Sequence, residues 1–125
     1  MPAKNADPDS SLPLTSAVFH VLLALADGEL HGYAIMLAVR ETTEGRISMG
    51  PGTLYGTIKR LLESQWIEES ESRPDPDLDD ERRRYYRLTG LGRSVVAAES
   101  RRYAGLVRVA QAKGLLALVS GLIIA

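Results

Sequence analysis

The run Met49-Gly50-Pro51-Gly52-Thr53-Leu54-Tyr55-Gly56-Thr57-Ile58-Lys59-Arg60-Leu61-Leu62-Glu63 constrains this chain more than any other segment. At helical spacing Leu54, Ile58, Leu61 and Leu62 fall at i, i+4, i+7 and i+8, one apolar stripe that must face a core. The same spacing predicts Thr53, Gly56, Thr57, Arg60 and Ser64 on the opposite side, flanked by Tyr55 and Lys59. A solvated face would more usually alternate acids with bases. This one carries hydroxyls, a glycine, a phenol and two cations, with its one acid, Glu63, near the end. Such a face suits a polyanion, and its small residues permit close approach. Gly52 and Thr53 can hold a phosphate through backbone amides and a hydroxyl at a helix start. Tyr55 and Thr57 can donate to a phosphate or a base edge, and Lys59 and Arg60 can neutralise phosphates. Gly56 costs a helix about 0.8–1 kcal/mol relative to alanine. Simple tolerance and close backbone approach explain it equally well.

The net charge of −1 argues against a nucleic-acid partner only until the charge is located. Between Glu68 and Glu81 eight acids stand against Arg73, followed directly by Arg82, Arg83, Arg84 and Arg87. From Arg93 to Lys113 five bases stand against Glu99. Distribution therefore says more than the total. Arg82, Arg83 and Arg84 have two readings, neutralising the acidic run before them or touching phosphate. Cysteine is absent, which excludes disulfides, thiolate metal sites and a thiol nucleophile, and favours the cytoplasm. His20 and His31 have no clustered carboxylates beside them, so neither a metal nor a cofactor is expected. No nucleophile–base set or phosphate-cradling loop is apparent, which argues against an enzyme. The first residues lack an apolar core segment, so no signal peptide is expected.

Patterning gives the order of elements. Thr15 can cap a first helix reaching about Ala26, with Leu14 stapled to Phe19 and Val18, Leu22 and Leu25 as its core stripe. Asp27-Gly28 ends it. A second helix spans about Gly32 to Thr43 and stops near Gly45, and Arg46 to Met49 reads as a very short strand. Gly50-Pro51 opens the third helix, because proline suits a first turn. Trp66 to Ser70 and Arg84 to Leu88 then read as two strands of a hairpin around a loop rich in proline and aspartate. Trp66, at the joint of helix and hairpin, reads as core. A last helix from Thr89 or Gly90 to about Lys113 has an apolar seam of Val96, Tyr103, Val107 and Ala110 with Val95 and Leu106 alongside. It has no evident partner in its own chain, which predicts a second subunit. The apolar run from Leu115 through Leu118 to Ala125 is shorter than the ~20 residues a membrane span needs. It reads first as an extension of the dimer helix; folding back onto another apolar surface and a weak membrane contact are the other two readings.

Three blocks carry a resemblance. They are Leu30-His31-Gly32-Tyr33-Ala34-Ile35, Gly50-Pro51-Gly52-Thr53-Leu54-Tyr55 with Lys59-Arg60-Leu61, and Arg84-Tyr85-Tyr86-Arg87-Leu88-Thr89 with Gly92. In order and spacing the chain resembles the PadR-like transcriptional regulators, winged helix-turn-helix dimers. The likeness runs from about Leu14 to Lys113. It implies repression by a dimer whose third helix enters the major groove with the wing beside it. One departure is the acidic wing tip, Asp75 to Glu81, which phosphate would repel.

The expected architecture is mainly α with a small β-hairpin wing, a winged helix-turn-helix over residues 14–89. A flexible lead, 1–13, precedes it, and a dimerisation helix with an apolar tail, 90–125, follows. The expected partners are double-stranded DNA at a pseudo-palindromic operator, a second copy of the chain, and a small apolar or aromatic effector if one exists. The alternative is a winged-helix protein-interaction module without strong DNA affinity.

Overall fold

The computed structural model of the protein describes residues 7–70 and 84–117. Thr15 caps α1 (Ser16–Ala24), its hydroxyl oxygen accepting the Val18 N–H at 3.2 Å. Leu14 and Phe19 both pack on the core, consistent with the expected staple. Helix α1 then tightens into a 3-10 turn, Leu25–Asp27, and ends at Gly28, whose φ of 152° favours glycine. The buried residues of this helix and turn are Val21, Leu22 and Leu25, whereas Val18 is only partly covered.

Leu30–His31, just before the second helix, forms a strand, β1. It pairs antiparallel with a later strand, β3, through Leu30↔Tyr86 and His31↔Tyr85. Helix α2 (Gly32–Thr42) follows, capped by His31, whose Nδ1 accepts the Ala34 N–H at 3.2 Å. Arg46 to Met49 is not the short strand expected there, but a loop. Glu44 and Gly45, at φ 54° and 80°, make the turn into it. The Thr43 hydroxyl holds it, donating to the Val39 carbonyl at 2.8 Å and accepting the Ile47 N–H at 3.0 Å. Helix α3 (Pro51–Glu63) then leads to β2 (Ile67–Ser70) and β3 (Tyr85–Leu88), which pair antiparallel from Ile67↔Leu88 to Ser70↔Tyr85. The sheet therefore has three strands in the order β1-β3-β2, one more than the hairpin expected from patterning. A two-residue strand carries no readable period and exists only because β3 offers it a free edge.

Helix α4 (Gly90–Ala112) is capped by the Thr89 hydroxyl, which accepts the Gly92 N–H at 3.0 Å. Its first turn presses on the end of α3. A Cβ at Gly92 would lie 2.7 Å from the Trp66 carbonyl carbon and closer still to its oxygen, so only glycine fits. Trp66 packs against the core, as its position suggested.

The first half of α4 is not partnerless. Gly92, Val95, Val96, Ala98 and Glu99 are buried, and the helix packs on α1 and on a 3-10 turn at Pro8–Ser11. Two expectations change here. Val96 is 5% exposed and belongs to the protomer's own core, so it is not part of a dimer face. The part of the expected lead that forms the 3-10 turn Pro8–Ser11 is not free but lies against α4. The tail also departs from expectation. Gly114, at φ 78°, and the Leu115 N–H donating to the Ala110 carbonyl at 2.9 Å form a Schellman-type stop. Leu115 therefore leaves the helix and does not extend it; Leu118 lies outside the described residues.

Glu99 is the one fully buried acid among the described residues. Its carboxylate accepts the Leu14 N–H at 2.8 Å and the Arg102 Nε–H at 2.5 Å. The Arg102 hydrogen bond is the main cause that holds its pKa below the usual value, aided by the Leu14 N–H and the Arg102 charge and opposed by burial. A depressed folded pKa means that ionised Glu99 stabilises the fold above the unfolded value near pH 4.3. That contribution is lost as pH falls through the folded value. Glu99→Gln keeps an acceptor for Leu14 but loses the charge, and should destabilise at pH 7 by about 1–2 kcal/mol. Urea unfolding across pH should show variant and wild type converging below the ordinary carboxylate range; a pH-independent difference would contradict this account.

Candidate nucleic-acid interface

Helix α3 is set by its inner stripe. Leu54, Ile58 and Leu61 are at most 2% exposed and meet α1, α2 and the sheet in one core. Thr57 sits in that stripe, at 0% exposure, and not on the outer face as expected. The reason is angular: position 57 lies three residues after Leu54 and four before Leu61, between them on the helix. Its hydroxyl is satisfied inside the helix, donating to the Thr53 carbonyl at 2.8 Å, so burial leaves no orphan polar group. Thr57 is therefore not available to DNA.

Tyr55 also faces differently from expectation. Its ring lies over the backbone of Gly32, where an added Cβ would come within 2.9 Å of Tyr55 Cζ. The half-buried phenol wedges α2 against α3, because position 55 lies on the border of the apolar stripe.

What remains outside is a surface of Gly50, Pro51, Gly52, Thr53, Lys59, Arg60 and Glu63, all exposed, with Gly56 half-buried among them. Arg60 places Nη2 3.4 Å from the Thr57 hydroxyl and forms no ion pair among the described residues; neither does Lys59. Two of these positions, Gly52 and Gly56, are glycine for no reason of space or backbone, whereas Gly50 is the N-cap of α3, a place that favours glycine. A Cβ at Gly50, Gly52 or Gly56 would meet nothing within 4 Å. Gly50 sits at φ −74°, and the other two are helical, conformations any residue adopts.

Sequence reasoning passed over two further cations. Arg40 and Arg46 are exposed on either side of the turn between α2 and α3, without an acid partner among the described residues. Arg46 and Ser48 point outward while Ile47 is half-buried and Met49 buried, an alternation that patterning assigned to a strand. On the wing, Arg82 and Arg83 lie outside the described residues. Arg84 is exposed and pairs loosely across the ladder, Nε to Glu69 Oε1 at 3.7 Å, while Arg87 pairs with Glu68 at 2.8 Å. Exposed pairs of this kind contribute about 0–1 kcal/mol.

A second unpartnered surface runs along the far half of α4. Tyr103, Leu106 and Val109 are 37%, 51% and 49% exposed, with Val107 and Ala110 half-buried beside them. Leu115, just past the helix, is 74% exposed. Tyr103 rests edge-on against Phe19 of α1, with ring centroids 5.0 Å apart, and carries Arg102 over its face at 4.8 Å. Among the described residues no three of His, Cys, Asp and Glu gather as a metal site, and no helix is long and apolar enough to cross a membrane.

Comparison with known proteins agrees with this geometry. Residues 21–98 match the family model described as the transcriptional regulator PadR-like family. An uncharacterized 37.1 kDa protein in a transposon of Streptomyces fradiae is 40% identical over 86 residues, 69% of this chain. The matched part is 22% of that protein's length. A PadR family transcription regulator of Clostridium difficile superposes with a TM-score of 0.64 at 22% identity, covering 78% of this chain and 96% of that one. A Streptococcus transcriptional regulator gives 0.61 at 27% identity, covering 78% and 90%.

The open space at Gly56 makes a direct prediction. Gly56→Ala should raise stability in urea unfolding by about 0.8–1 kcal/mol, the helix-propensity difference. A loss of stability would show that the glycine is needed inside the protomer.

Proposed function

The chain belongs to the PadR-like family of transcriptional regulators, and we propose that it binds a pseudo-palindromic operator as a homodimer and represses transcription there. The carrying observation is the outer face of α3, where Gly52 and Gly56 serve neither packing nor backbone conformation. A residue that costs stability and is not used internally fits a surface that another backbone approaches closely. Thr53 supplies a hydroxyl to that surface, and Lys59 and Arg60 supply charge. In a duplex complex α3 enters the major groove, and its cations neutralise phosphates that position the protein. The two reading helices of the dimer lie about one DNA turn apart, roughly 34–36 Å.

Tyr103, Leu106, Val107 and Ala110 are the residues through which α4 meets its counterpart, a contiguous apolar lane that water would otherwise cover. A small apolar or aromatic effector lodged between the subunits, against Phe19 and Tyr103, would change the separation of the reading helices and release DNA. The site of action is the cytoplasm, where the operator is.

Lys59→Ala with Arg60→Ala should weaken binding to the DNA upstream of the protein's own gene by at least tenfold and flatten the dependence of log K on log salt by about one to two units. Fluorescence anisotropy at several salt concentrations measures both. Absence of wild-type binding at low salt would favour a protein-interaction module that keeps the fold. For the dimer, Leu106→Glu should shift the protein to monomer in sedimentation velocity at micromolar concentration while leaving its helix content intact.

A further inference from the structure

The five tyrosines are not used alike. Tyr55 covers Gly32, Tyr85 stands edge-on to His31 with centroids 5.3 Å apart, Tyr86 is 4% exposed, and Tyr103 rests on Phe19. Tyr33 is 58% exposed, and its ring and hydroxyl have no partner among the described residues. Single exposed apolar side chains are ordinary. What distinguishes Tyr33 is its place.

It is the second residue of α2, directly after Gly32, and Gly32 is the point at which α2 touches the flank of α3. The residue making that contact, Tyr55, shares its stretch of helix with Gly52, Gly56 and Lys59, at i−3, i+1 and i+4. The start of α2 therefore adjoins the outer face of α3. In helix-turn-helix docking the first helix of the pair crosses the phosphate backbone while the second lies in the groove. Among the first-turn amides of α2, that of Ala34 is already taken by His31 Nδ1. At the same turn Tyr33 presents the exposed side-chain donor.

We infer that the Tyr33 phenol donates a hydrogen bond to a DNA phosphate bordering the groove that α3 enters, a positioning contact the outer face of α3 does not contain. This rests on the DNA-binding reading above. It differs from the Lys59 and Arg60 contacts in a measurable way. A neutral phenol orients the protein without releasing a counterion, so its loss lowers affinity while leaving the salt slope unchanged. Because phosphates carry no sequence information, the loss is alike on any duplex.

The test compares wild type, Tyr33→Phe and Tyr33→Ala on a duplex from the DNA upstream of the protein's own gene and on a random duplex of equal length. Tyr33→Phe should weaken binding to both about three- to tenfold with the salt slope and melting temperature unchanged, and Tyr33→Ala should weaken it at least as much. Wild-type affinity in Tyr33→Phe would overturn the inference, even with Tyr33→Ala weakened, since the ring alone would then be the contact. If wild type bound both duplexes and Lys59→Ala with Arg60→Ala reduced binding, that overturning would leave the DNA-binding reading standing. Failure of the wild type to bind either duplex at low salt would remove both.

Discussion

The rotation of α3 about its own axis governs what this protein can present. Four adjacent inward positions, Leu54, Thr57, Ile58 and Leu61, fix it, each at most 2% exposed. Three are aliphatic, and the fourth hides its hydroxyl by returning a hydrogen bond to the Thr53 carbonyl. Were that hydroxyl left without a partner in the core, its desolvation would cost about 1–3 kcal/mol. With it satisfied, the helix is locked, and Gly52, Thr53, Gly56, Lys59 and Arg60 face outward together. The DNA contacts of α3 follow from that orientation.

Around this helix the fold is a set of supports. Tyr55 spaces α2 from α3 by lying over Gly32. The Thr43 hydroxyl ties down the connecting loop between them. Gly92 lets α4 begin hard against the Trp66 carbonyl, while the Thr89 hydroxyl donates to the Gln65 carbonyl at 2.6 Å. The end of α3, the wing strands and the start of α4 are thus joined at one corner.

Helix α4 has two lives along its length. Its first half is core, and its second half carries the apolar lane. Glu99 stands at the change, where one carboxylate holds both the Leu14 amide and Arg102. Arg102 in turn lies over Tyr103, which rests on Phe19. The segment before α1, the direction of α4 and the aromatic end of the apolar lane are therefore connected through one buried charge. An acid at this position reads in sequence as one charge among many; only its neighbours reveal it as a junction.

Legible in the sequence alone were the helices, the cap at Thr15, the start of the last helix at Thr89 or Gly90, the proline start of α3, the two wing strands and the family. These are local properties, set by periodicity and by the hydrogen-bonding chemistry of residues a few positions apart. Contacts between distant segments were decided only by the tertiary structure. Strand β1 exists because β3, far along the chain, offers an edge on which Leu30 pairs with Tyr86. Val96 became core because α1 and the 3-10 turn at Pro8–Ser11 cover the same side of α4. Thr57 and Tyr55 carry polar groups that read as outward, but both were drawn inward by neighbours. For one, a carbonyl one turn away satisfied the hydroxyl; for the other, a glycine on another helix left room for the ring. Hydrophobicity says which side chains seek a core, whereas the depth at which a polar one can be buried depends on partners that no local pattern contains.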